Sequence, residues 1–102
     1  MGLCVALRAE SGEQFDFVAD EKNLLNKLLR NPNPTAFPTL ASIHRFGDTV
    51  FNRIQMDRLL AEWKPHSNVA NTSEEDAVLR HVVEMGEKAA HGVHLYLVFI
   101  GD

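Results

Sequence analysis

The chain of 102 residues contains one cysteine, Cys4, so no disulfide can form within it. The fold therefore does not depend on oxidation, which favours a reducing compartment. No apolar run is long enough to cross a bilayer, and the start of the chain lacks the charged and apolar segments of a secretion signal. We expect a cytoplasmic protein.

Basic residues are too few for a surface that binds nucleic acid. The chain has 10 Lys and Arg against 14 Asp and Glu, for a formal net charge of −4. Duplex nucleic acids and anionic membranes both require a basic face. This charge balance argues against both as partners and leaves another protein as the expected partner.

The sequence signatures of the common enzyme classes are missing. There is no GxSxG nucleophile motif, no Gly-rich phosphate loop and no HExxH zinc motif. Cys4 lies in an apolar segment without a basic neighbour that would lower its thiol pKa. We expect no cofactor and, with one exception given below, no enzymatic activity.

The apolar share of 45% is that of a globular protein, and the length predicts a single domain over residues 1–102. Apolar residues alternate from Leu3 to Ala9, and Phe alternates with polar residues from Gln14 to Phe17, which predicts a β-hairpin. Leucines at helical spacing predict a helix from Asp20 to Leu29. A short strand is expected from Leu40 to Phe46.

The central stretch contains a helix start. Asn52 and Gln55 have the spacing of a capping box, in which each side chain bonds the other residue's backbone N–H. Pro65 is expected to end this helix. Between these limits, apolar residues recur at i, i+3, i+4 and i+7 and predict one buried stripe: Met56, Leu59, Leu60 and Trp63.

A longer helix and a final strand follow. Thr72 and Glu75 form a second capping box, and Gly92 is the expected helix stop. Gly86 lies within the apolar stripe of this helix, where the missing side chain lets another element approach. Val93 to Ile100 has apolar residues on both sides, as in a strand that is covered on both faces or meets a partner.

These elements have the order ββαβααβ. Strands that are not regularly alternated with helices favour the α+β class. We predict a small, mostly antiparallel sheet of about four strands that carries three helices.

Two residues could support acid–base chemistry. His44 and Asp48 are four positions apart near the central turn, and an imidazole and a carboxylate can act as base and orienting group if the turn brings them together. A turn-capping Asp48 and an exposed His44 are the simpler explanation. The enzymatic alternative is a small hydrolase that uses this pair.

Three histidines, His81, His91 and His94, could in principle ligate zinc. Their spacing crosses a helix end and a strand start, and no second thiol supports a site. His91 near a helix C-terminus is better explained by the helix dipole. We therefore predict no metal site.

The exposed side of the central helix is the predicted partner-binding site. It combines both charge signs with two arginines, and arginine is enriched at protein interfaces. A solvated helix face is the alternative explanation. The residues assigned to this site are Asn52, Arg53, Asp57, Arg58 and Glu62.

Two segments, GDTVFN (47–52) and HLYLVFIGD (94–102), carry a resemblance. With the intervening acidic helix, the chain resembles uncharacterised small bacterial, largely actinobacterial, single-domain proteins that share GDTVFN and HLYL-x-FIGD motifs. This chain has Arg45 before Phe46 and Val98 in its last strand, which are departures from that pattern. The resemblance implies a fold and a bacterial source, and no activity.

Three hypotheses about function remain. The first is a small cytoplasmic protein-interaction domain, such as an inhibitor or immunity-type partner of a larger bacterial protein. The second is the hydrolase that uses His44 and Asp48. The third is a homodimeric scaffold that associates through the second face of the last strand.

Overall fold

A computed structural model of the chain describes residues 3–19, 25, 29, 33–44, 46–66 and 72–101, with residues 65 and 66 as backbone only. The α+β class and the order ββαβααβ are confirmed. The predicted helix from Asp20 to Leu29 lies outside the described residues except for Leu25 and Leu29, which are buried. The elements are β1 (Cys4–Ala9), β2 (Gln14–Ala19), α1 (Pro38–Ala41), β3 (Asp48–Phe51), α2 (Arg53–His66), α3 (Ser73–His91) and β4 (Leu95–Ile100).

The described strands form one antiparallel sheet in the order β2-β1-β4-β3. The predicted β1–β2 hairpin is present, with a register shift between Leu7 and Arg8. Gly12 in its turn has a φ of 95°, which glycine adopts without strain. Strands β2 and β3 are the edges of the sheet.

Helices α2 and α3 pack against one face of the sheet, which we call the inner face. Val5, Leu97 and Phe99 on this face are fully buried. Phe99 contacts two other aromatic rings, with centroid distances of 5.7 Å to Phe51 and 6.2 Å to Trp63. Burial of each such side chain contributes about 1.5–3 kcal/mol, so this layer supplies much of the stability. The predicted stripe on α2 faces this core.

The opposite side of the sheet is the outer face. Directly paired residues point to the same face, so Phe17, Ala6, Val98 and Val50 form one row across the four strands. Ala6 and Val98 are buried in the centre of this row, whereas Phe17 and Val50 at its ends are 42% and 53% exposed. This row of the outer face is therefore apolar and partly open to solvent at its ends.

Gly86 permits close packing of α2 on α3, as predicted. A Cβ atom added to Gly86 would lie 2.9 Å from Cδ2 of Leu60 and 3.0 Å from Cε of Met56. Both distances are below normal van der Waals contact. The absent side chain thus sets how closely the two helices approach.

Three sequence predictions about element boundaries are wrong, and the first is the start of the last strand, which is Leu95 and not Val93. The segment expected to be a strand from Leu40 to Phe46 instead contains α1 and a turn, and the strand is β3. Pro38 lies in the first turn of α1, where its fixed φ suits a helix and its missing N–H costs nothing. Helix α2 includes Pro65 and ends one residue later, at His66.

No helix among the described residues is long and apolar enough to span a membrane.

Candidate functional site

The first turn of α2 is fixed by a reciprocal cap. The backbone N–H of Gln55 donates to Oδ1 of Asn52 at 3.0 Å, and the backbone N–H of Asn52 donates to Oε1 of Gln55 at 2.8 Å. This is the predicted capping box. It holds the intervening residues, Arg53 and Ile54, outside the core, where both are exposed.

Ile54 is the most exposed large apolar residue described, with 82% of its surface in solvent. It lines a cleft of about 450 Å³ between α1 and the start of α2, together with Phe51 and Arg58. Ile54 also lines a second cleft of about 220 Å³, with Arg53 and Val93. Val93 is itself 71% exposed.

One surface therefore combines exposed apolar side chains with two arginines. Neither arginine makes an ion pair with any side chain that the structure describes. Arginine is enriched at protein interfaces, and the buried centre of an interface is more apolar than the rest of a protein surface, so this combination favours a contact with another molecule. We call it the Ile54 surface, formed by Asn52, Arg53, Ile54, Arg58 and Val93.

The predicted partner-binding residues do not all lie on this surface. Asn52, Arg53 and Arg58 do, and Asp57 is exposed on the same helix. Glu62 was expected on the exposed side, but it is only 8% exposed. Its placement was wrong because its carboxylate has a structural role elsewhere.

The Glu62 carboxylate holds the start of α1. Its Oε1 accepts hydrogen bonds from the backbone N–H of Thr39 at 2.9 Å and of Leu40 at 3.1 Å. Helix α1 has no side-chain cap of its own at Phe37. Glu62 therefore supplies the missing acceptor for the first N–H groups of the helix.

His44 and Asp48 are not brought together as a catalytic pair. Nδ1 of His44 is 3.1 Å from the backbone N of Phe46 and accepts its hydrogen. The backbone N–H of His44 donates to Oγ1 of Thr49. No hydrogen bond or ion pair between described side chains joins His44 to Asp48, and both residues are exposed.

His81 joins the sheet to α3. Its Nε2 lies 2.9 Å and 3.0 Å from the two carboxylate oxygens of Asp16 on β2. Burial acts to raise the pKa of Asp16. The hydrogen bonds from His81 and from the Phe17 amide, with the positive charges of His81 and Lys88, outweigh it, and the pKa lies below its ordinary 3.8.

The other two histidines have different partners. Nδ1 of His91 lies 2.8 Å from the backbone oxygen of Glu87 in the last turns of α3. Nδ1 of His94 lies 2.9 Å from Oε2 of Glu10, in the turn that follows β1. Within the described ranges, no group of three or more His, Cys, Asp or Glu side chains is placed to hold a metal ion.

Sequence reasoning missed Ile54 and Val93. A signal for Ile54 was present, because an isoleucine that falls off the apolar stripe of its own helix must lie near solvent or meet a partner. Val93 gave no comparable signal, since it precedes a strand that is apolar on both sides. Its exposure depends on where α3 ends.

Comparisons of the chain with protein-family models, with curated proteins and with solved structures return no match. The fold class thus rests on the α+β architecture itself. The resemblance of the GDTVFN and HLYLVFIGD segments to small bacterial proteins stays a prediction.

Proposed function

We propose that this chain is a small, non-enzymatic protein-binding domain that contacts a larger protein through the Ile54 surface. The observation that supports this proposal is the 82% exposure of Ile54 between Arg53 and Arg58. A large aliphatic side chain in water gains about 1.5–3 kcal/mol when it is buried in a contact. The two arginines add directional hydrogen-bond donors around it.

The charges of the surface define the chemistry of the partner. The chain as a whole is acidic, with a formal net charge of −4. The Ile54 surface departs from that balance because its charged members are two arginines. The partner therefore presents apolar side chains flanked by carboxylates. An inhibitor or immunity-type role in a bacterial cytoplasm fits a small domain of this kind, since the single cysteine suits a reducing compartment.

Charge reversal tests the proposal. The double variant Arg53→Glu with Arg58→Glu should keep the free energy of unfolding within about 0.5 kcal/mol, because both side chains are exposed. It should lose the partner that wild-type protein captures from the native host. Arg80→Glu, which reverses an exposed arginine on α3, is the matched control and should retain the partner. Equal recovery with all three proteins contradicts the placement of the contact.

A second candidate function, a homodimeric scaffold, is favoured by one observation. The outer face exposes Phe17 and Val50 at the two ends of an apolar row. A second copy could cover this row, and oligomeric state in solution tests the idea. No such observation favours the hydrolase alternative, because none of the clefts described above includes His44 or Asp48.

A further inference from the structure

One backbone contact at the start of β3 determines which residue pairs of β3 and β4 are hydrogen-bonded. The backbone N–H of Gly101 donates to the backbone oxygen of Gly47 at 2.9 Å. In an antiparallel ladder, this bond makes the next pair, Asp48 with Ile100, a pair without direct hydrogen bonds. Bonded and unbonded pairs then alternate along the strand.

The alternation divides the peptide groups of β3 between its two sides. Thr49 and Phe51 direct their N–H and C=O groups toward β4. Asp48 and Val50 direct theirs away from the sheet, toward the free edge. No hydrogen bond from another described residue reaches the peptide groups of Asp48 or Val50. With respect to the residues that the structure describes, this edge thus offers two backbone donors and two backbone acceptors.

One donor on the other edge of the sheet, in β2, is already satisfied by a side chain. In β2 the backbone N–H of Phe17 donates to Oδ1 of Asp16 at 2.8 Å. His81 holds the same carboxylate from α3. A charged side chain fixed at an edge strand is a known means of preventing strand pairing. No comparable side chain, among those the structure describes, bonds the edge of β3.

The larger cleft adjoins the free edge. Phe51, the last residue of β3, lines this cleft together with Arg58 and Ile54. The side chain of Val50 points to the outer face and is 53% exposed. A strand that paired with β3 would alternate its side chains between Val50 on one side and the cleft on the other.

We propose that the free edge of β3 accepts an extended peptide segment of a partner protein as an additional strand. An apolar side chain of this segment packs beside Val50, and an acidic side chain enters the cleft and pairs with Arg58. In strand addition, main-chain hydrogen bonds supply affinity and alternate side chains supply specificity. The inference rests on the proposed function and names the mode of binding and the partner class.

A selection experiment with random linear peptides displayed on phage tests this mode. Peptides selected on the wild-type protein are synthesised and titrated against wild type, Val50→Pro and Val50→Thr. Proline removes the N–H that points to the free edge and leaves the bonds to β4, as edge strands tolerate. We expect about a tenfold or greater loss of affinity for Val50→Pro, a clearly smaller loss for Val50→Thr, and enrichment of Asp or Glu in the peptides.

Amide hydrogen exchange on the wild-type protein gives a second measurement that does not depend on how a variant folds. A bound strand should slow the exchange of the Asp48 and Val50 amides. The amides of Thr49 and Phe51, which already bond β4, should change little. Protection of all four amides to the same degree, or of none, overturns strand addition.

The remaining outcomes separate the two proposals. Failure to select any peptide, or equal binding to wild type and Val50→Pro, overturns strand addition. If the selected peptides bind wild type and Val50→Pro equally but lose affinity for the Arg53→Glu, Arg58→Glu variant, the Ile54 surface remains the contact site. In that case only strand addition is wrong. A wild-type dimer that Val50→Pro converts to a monomer assigns the edge to a second copy and overturns the partner peptide.

Discussion

At the scale of single residues, Glu62 shows how one carboxylate can define a distant segment. It lies on α2 and bonds the first amides of α1, 22 and 23 positions earlier in the chain. Both Glu62 and Leu40 are almost fully buried, so the Leu40 amide has little access to water as a substitute acceptor. The wall of the larger cleft formed by α1 therefore depends on Glu62.

Removal of this carboxylate should be costly. Glu62→Ala leaves the amides of Thr39 and Leu40 without an acceptor and should lower the free energy of unfolding by about 2–4 kcal/mol. Glu62→Gln keeps one acceptor oxygen and should cost less. Denaturant unfolding measures both changes. Asp57→Ala, an exposed acidic residue on the same helix, is the control and should shift stability by about 0.5 kcal/mol or less. Equal losses of unfolding free energy for Glu62→Ala and Asp57→Ala would show that the Glu62 carboxylate does not stabilise α1.

At the scale of elements, the contact between β2 and α3 depends on an ionised side chain. Asp16 and His81 join an edge strand to the longest described helix. The lowered pKa of Asp16 means that the folded state favours the charged form. Such a group stabilises the fold above its unfolded pKa and loses that effect as the pH falls through its folded pKa.

The pH dependence of this contact can be measured by comparison with Asp16→Asn. Above the ordinary pKa of 3.8, wild type should be more stable than the variant by about 0.5–1 kcal/mol, the range for a partly exposed pair. Below that pH the difference should shrink as Asp16 takes up its proton. Unfolding at a series of pH values from about 6 to about 2 covers this range. A difference that stays constant over the series would assign the effect to the amide substitution and not to the charge.

The elements also show which parts of the fold a sequence can predict. The caps at Asn52 and Thr72 were predictable because both partners of each cap lie three residues apart. Helix α1 was not, since its amides are satisfied by Glu62 from another part of the chain. The strand expected at Leu40 failed for this reason. Local sequence patterns predict hydrogen bonds between residues that are near in sequence. They do not predict hydrogen bonds between segments that only the fold brings together.

For the candidate site too, the local features were predictable from the sequence and the long-range features were not. The polar side of α2 could be identified from its spacing, which located Arg53 and Arg58. The free edge of β3 could not, because it depends on the order of strands in the sheet and on the phase of the ladder. Both properties arise from pairing between segments that are far apart in sequence.

At the scale of the whole molecule, two surfaces with exposed apolar residues are candidate contact sites: the Ile54 surface and the outer face of the sheet. The outer face spans four strands, or roughly 14 Å by 20 Å from ordinary strand spacing and rise, which is about 300 Å². A standard interface buries about 800 Å² on each partner. The outer face alone falls short of that area, so a stable homodimer would have to bury surface beyond it.

We therefore expect the chain to be a monomer at micromolar concentration. Sedimentation or native mass measures this directly. Phe17→Lys, which places a charge on the outer face, should leave the mass unchanged and remove any weak association at higher concentration. A stable wild-type dimer that Phe17→Lys dissociates would contradict this expectation and support the scaffold function.

The position of Trp63 has a practical consequence for all these measurements. It is the only tryptophan in the chain, it is 2% exposed, and its ring contacts Phe99 where α2 meets the sheet. Its indole N–H has no hydrogen-bond partner among the described residues. The folded protein should therefore emit at the short wavelengths of an indole in an apolar setting, and unfolding should shift that emission to the red. One intrinsic fluorophore at the helix–sheet contact thus reports on the integrity of the core without any label.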